Sequence, residues 1–98
     1  MSNRANDADE WDVIGFVISS KYRIAVLETL SMGPTIPSSI ASETELPITH
    51  VSRALRALRD RSLVELLVSN HRKKGRIYGL TDRGRRLWQR IEAEGLVD

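Results

Sequence analysis

The stretch ITHVSRALRALRDR, residues 48–61, decides the fold. Its apolar positions Ile48, Val51, Leu55 and Leu58 are spaced 3, 4 and 3, with Ala54 beside them, which is the stripe of a helix with one face in a core. The opposite face displays Thr49, His50, Ser52, Arg53, Arg56 and, further along, Arg59. Just ahead of it, Leu46-Pro47 forces a bend, because the residue before a proline avoids the α region. Just after it, from Ser62, the period changes. VELLV (64–68) and RIYGL (76–80) are rich in β-branched and aromatic residues and predict two strands. The polar tip SNHRKKG (69–75) between them, with Gly75 available for a positive φ, makes a β-hairpin the economical reading.

Working outward, Pro37 suits a first helical turn, and Ile40 and Ala41 give a short helix over 38–44. Thr35-Ile36 leaves room for a very short strand. A helix capped by Ser19 or Ser20 carries Ile24, Leu27 and Leu30 along one stripe and stops at Met32-Gly33-Pro34. WDVIGFVIS (11–19) is apolar nearly all round and reads as a buried helix, although a short apolar run of this kind also suits a strand. Residues 1–10 are small, polar and aperiodic, the pattern of a disordered acidic leader before a domain over 11–98. At the other end Thr81 caps a last helix over 82–94, with Leu87, Trp88 and Ile91 as its apolar stripe. The class is mainly α with a small β-hairpin. A hairpin of two strands is not stable alone, so it must lie against the helices.

The chain has 98 residues, enough for one core that buries roughly two-thirds of the unfolded surface and too few for two. Its composition, 41% hydrophobic and 29% charged, is that of an ordinary globular domain. The longest apolar run, residues 13–18, is far short of a membrane span, and the polar acidic start does not resemble a secretory or transit signal. The absence of cysteine removes disulfides, thiolate metal sites and a cysteine nucleophile, and suits a reducing cytoplasm, the expected compartment. The formal charge of +2 hides an asymmetry: residues 1–12 carry a net −3, whereas 50–90 carry twelve bases against three acids. A basic block of that size points to a polyanion.

Two short helices joined by a bend and followed by a hairpin match a helix-turn-helix with a wing, in which the second helix enters the major groove. Arg53 and Arg56 lie three apart, hence side by side, and their forked donors suit guanine edges or phosphate oxygens. Taken alone, these arginines read equally well as solvated surface, some paired to Asp60 or Glu65. The tip argues against that: His71, Arg72, Lys73, Lys74 and Arg76 repel one another on a turn, and a phosphate backbone explains them better than a solubilising edge does.

Three segments, SSKYRIAVLETL (19–30), PSSIASETELPITHVSRALRALRDRSLVELL (37–67) and GRIYGLTDRGRRL (75–87), make residues 20–90 resemble a winged helix-turn-helix transcription regulator of the broad ArsR/MarR-like kind, especially small archaeal and bacterial ones. The resemblance implies sequence-specific binding of double-stranded DNA through Thr49, His50, Ser52, Arg53 and Arg56, with wing contacts from Arg72, Lys73, Lys74 and Arg76. It also implies a homodimer built from terminal helices, for which Trp11, Ile14, Phe16, Ile18, Trp88, Ile91 and Leu96 are candidates; packing within one chain is the equal alternative. Two departures stand out. Glu45 occupies the turn where many such motifs have Gly, which predicts a looser bend, and Ile36 stands where a Ser or Thr often caps the second helix.

The metal-sensing members of that family use Cys or His/Asp clusters, and His50 and His71 have no such partners. No cofactor, metal or small-molecule effector is readable. No P-loop, nucleophile elbow or dinucleotide fingerprint suggests an enzyme, and the chain lacks the exposed aromatics on which single-stranded RNA stacks. The competing reading is a winged-helix protein–protein module within a larger assembly, whose basic face would meet an acidic partner.

Overall fold

The computed structural model describes residues 3–68 and 75–97. Five helices and one hairpin follow in the order α1 (Asn3–Ile18), α2 (Lys21–Ser31), α3 (Pro37–Thr44), α4 (Ile48–Asp60), β1 (Val64–Val68), β2 (Ile77–Leu80) and α5 (Asp82–Ala93). The hydroxyl of Ser20 caps α2 by accepting from the Arg23 amide at 3.3 Å, and Pro37 opens α3. Ile36, with no side-chain acceptor, leaves the first turn of α3 uncapped.

One hydrophobic cluster runs through all five helices and the hairpin. Val13, Ile14 and Val17 come from α1, Val26, Leu27 and Leu30 from α2, and Ile40 from α3. Val51, Ala54, Leu55 and Leu58 of α4 sit at the centre, while Leu87, Trp88 and Ile91 of α5 close one side. Burial of these side chains is the main stabilising term, roughly 1.5–3 kcal/mol for each large aliphatic. The hairpin is antiparallel, pairing Val64 with Leu80 and Leu66 with Tyr78, and a bulge at Leu67 shifts the register so that Val68 pairs with Ile77. Thr35 and Tyr78 exchange backbone bonds of 3.0 and 2.9 Å, so the linker between α2 and α3 adds a one-residue bridge to the free edge of β2.

Several expectations need correction. The first helix starts at Asn3, not at Trp11, so most of the stretch expected as a disordered leader is helical. Its acids are used: Asp9 and Glu10 pair with arginines of α5. Ile48 opens α4 with 46% of its surface exposed and is not part of the inward stripe; the first turn of α4 overhangs the core. Nor is the bend before α4 loose. Glu45 takes a left-handed conformation (φ 58°, ψ 34°), and its amide donates to the Ala41 carbonyl. Glutamate thus adopts the backbone usually given to glycine, at a cost of roughly 1 kcal/mol.

Candidate nucleic-acid interface

α4 presents its polar residues on two flanks separated by an outer edge. At 100° per residue, burying Val51, Ala54, Leu55 and Leu58 turns Thr49 outward and divides the remainder. Ser52, Arg56 and Arg59 line one flank, where α4 faces the hairpin across an open cleft of about 1000 Å³. The far wall carries Gly75, Arg76 and Tyr78, and the start of α3 contributes Ile36, Pro37 and Ser38. His50, Arg53 and Ala57 line the other flank, facing Ser20, Tyr22 and Arg23 across a shallow depression of about 140 Å³.

The candidate residues are therefore divided. Ser52, Arg56 and Arg76 are brought together at the cleft, and Arg59 joins them. Thr49 is exposed between the two flanks. His50 and Arg53 lie on the opposite side, where the His50 ring stacks on Tyr22 with centroids 4.3 Å apart and planes 7° from parallel. Arg72, Lys73 and Lys74 lie outside the described residues, as does His71. Sequence reasoning missed Lys21, Tyr22 and Arg23. They stand at the start of another helix, far along the chain, and no local pattern connects them to His50.

The cations differ in what they touch. Among the described residues, four ion pairs form and all involve α5: Arg83 with Asp9 (3.9 Å), Arg85 with Asp82 (3.2 Å), and Arg90 with both Glu10 and Glu94 (3.0 Å to Glu94). Hydrogen bonds that it donates to Glu94 and then to Glu10 raise the pKa of the Arg90 guanidinium above its ordinary value, fixing its charge. Arg23 and Arg61 are used differently. Their guanidinium carbons lie 3.9 and 4.0 Å from the centroid of the Phe16 ring, and two groups that close must occupy opposite faces. Arg23 also donates to the Phe16 carbonyl at 2.7 Å. Arg53, Arg56, Arg59 and Arg76 enter no ion pair among the described residues, so neither Asp60 nor Glu65 neutralises them there.

The candidates for a dimer contact also separate. Ile14, Trp88 and Ile91 are buried in the core of the single chain and offer no surface to a partner. The Phe16 ring is covered by its two guanidiniums, and Leu96 is partly buried against the core. Trp11 and Ile18 remain 42% and 36% exposed on α1, Trp11 with Arg90 over its ring at 4.6 Å. Among the described residues, no cluster of three or more His, Cys, Asp or Glu side chains is placed to hold a metal ion, and no helix is long and apolar enough to cross a membrane.

The helix pair α3–α4 with its hairpin is a winged helix-turn-helix, and solved structures share it. A MarR family regulator from Neisseria meningitidis, NMB1585, is 22% identical with a TM-score of 0.70, covering 97% of this chain and 66% of its own. The homodimeric winged helix-turn-helix DNA-binding domain of Mb0332 from Mycobacterium bovis, a possible ArsR-family regulator, is 22% identical with a TM-score of 0.71, covering 97% and 86%. A mutant of ZitR from Lactococcus lactis is 16% identical with a TM-score of 0.70 over 79% of this chain, which spans only 53% of the ZitR chain. No curated protein matches the sequence. The match of a family model over residues 11–94 establishes membership directly: the chain belongs to the family of the HVO_A0261 N-terminal domain.

Proposed function

We propose that this protein binds double-stranded DNA sequence-specifically as a transcription regulator, with α4 in the major groove and the hairpin as a wing on the flanking backbone or minor groove. The observation that carries this reading is the convergence of Arg56, Arg59 and Arg76 on one open cleft without an ion pair among the described residues, while three arginines of α5 are paired to acids. Folding gains nothing from three unpaired cations facing one another. A phosphate backbone and guanine edges give them partners.

In this reading Thr49, Ser52 and Arg56 face base edges, and Arg76 grips phosphate with Arg72, Lys73 and Lys74. A homodimer with Trp11 and Ile18 in its contact would set two α4 helices in successive major grooves, roughly 34 Å apart. The homodimeric Mb0332 domain supports that arrangement. Sedimentation tests the dimer, and monomers at all concentrations would exclude it.

Binding of a random-sequence duplex pool, followed by fluorescence anisotropy over a salt series, tests the whole reading. Neutralising several phosphates per subunit gives a slope of log K against log salt of about −3 or steeper. A flat salt dependence, or unchanged duplex affinity in the Arg53→Ala/Arg56→Ala variant, would instead favour a protein–protein module.

A further inference from the structure

The depression between α2 and α4 is built differently from the cleft on the wing side. Among the described residues, the two share none. The cleft includes Asp60, whereas none of the described residues lining the depression is acidic. Its centre is the flat stack of His50 on Tyr22, and Lys21, which adjoins the depression without being among its described lining residues, holds its ammonium 5.3 Å from the Tyr22 ring. Arg53 is exposed beside the stack and enters no ion pair among the described residues. Arg23 is already held by Phe16 and is not available.

A helix with its side chains is about 10–12 Å across, and the major groove is about 12 Å wide. The outer edge of a helix seated there meets the bases, and its flanks meet the phosphate walls. His50 and Arg53 lie on a flank. The stack adds a constraint, because a ring lying parallel on Tyr22 cannot swing toward the groove floor without losing that contact.

We infer that this depression seats one phosphodiester group of the DNA backbone, on the side of α4 away from the wing. Arg53 supplies charge from the lining and Lys21 from beside the Tyr22 ring. Tyr22 is a positioning residue that holds His50 at the phosphate and off the base edges. This rests on the DNA-binding reading and separates the roles of its residues. The outer edge of α4 discriminates sequence, with Arg56 reaching it from the wing side, whereas the α2 flank contributes affinity without discrimination.

The test compares a duplex that the wild type selects from a random pool with the unselected pool, by anisotropy over a salt series. Lys21→Ala and Arg53→Ala are each expected to weaken both duplexes by a similar factor, about 3- to 10-fold. They should leave the ratio between the two within about twofold and reduce the salt slope by about 1. Arg56→Ala should lower the ratio. Tyr22→Ala should match the uniform loss of His50→Ala, the double variant should lose no more than either single change, and Tyr22→Phe, which keeps the stacked ring, should behave as wild type. Thermal melting identifies any variant that fails to fold. If Tyr22→Ala does so, the exposed Lys21 and Arg53 still decide the matter. The inference is overturned if Arg53→Ala lowers the ratio about fivefold with pool binding unchanged, the mark of a base contact, or if neither Lys21→Ala nor Arg53→Ala weakens binding. A wild type that binds neither duplex would overturn the DNA-binding reading itself, and this inference with it.

Discussion

At Gly84, in the first turn of α5, there is no room for a methyl group. A Cβ built there would lie 2.0 Å from the carbonyl oxygen of Leu63 and 2.9 Å from its carbon. Backbone, unlike the end of a flexible side chain, cannot step aside. The neighbouring bonds hold the two segments together: the Thr81 hydroxyl donates to the Ser62 carbonyl at 2.6 Å and accepts from the Gly84 amide at 2.9 Å, and the Thr81 amide donates to the Leu63 carbonyl at 3.1 Å. Helix propensity alone predicts that Gly84→Ala stabilises α5 by roughly 0.5–1 kcal/mol. The clash outweighs that gain, and the change should destabilise the fold by about 3 kcal/mol, read as a lower urea midpoint with native-like slope. A neutral or stabilising result would mean that α5 does not approach the start of β1 this closely.

At the scale of elements, α4 shows what a periodic stripe can and cannot say. Ile48, Val51, Leu55 and Leu58 carry one pattern in the sequence, yet Leu58 is fully buried and Ile48 is 46% exposed at the cleft. Leu58→Ala should cost about 2–5 kcal/mol, whereas Ile48→Ala should stay within about 1 kcal/mol. Equal losses in parallel urea titrations would put Ile48 back in the core. The elements legible in the sequence carry local signals: Pro47 and the 3-4-3 spacing for α4, Thr81 for the start of α5, and the change of period after Ser62 for the hairpin. The rest depends on partners distant along the chain. The early start of α1 goes with pairing of Asp9 and Glu10 to α5, and His50 is drawn to its flank by Tyr22. The tight turn at Glu45 escapes a reading of the sequence because a left-handed glutamate has no compositional mark.

At the scale of the molecule, charge is sorted by place. The basic half of the sequence reads as one block, but folding packs α5 against α1, α2 and β2, and Asp9 and Glu10 of α1 pair with two of its arginines. Arg53, Arg56 and Arg59 of α4, and Arg76 beside the hairpin, remain exposed. Removing two charges should therefore have unequal consequences. Arg83→Ala/Arg90→Ala and Arg56→Ala/Arg76→Ala lower the net charge equally. If affinity for duplex DNA followed net charge, both would weaken binding alike. At physiological ionic strength, screening over about 8 Å confines each charge to its own neighbourhood. The α5 pair should lose less than about threefold in affinity, even with its acids unmasked, and the cleft pair about 30-fold or more, with a shallower salt slope. Anisotropy titrations on folded variants, checked by thermal melting, decide between them. Equal losses would show that the protein attracts DNA by its overall field, and the cleft would lose its claim to be the reading surface.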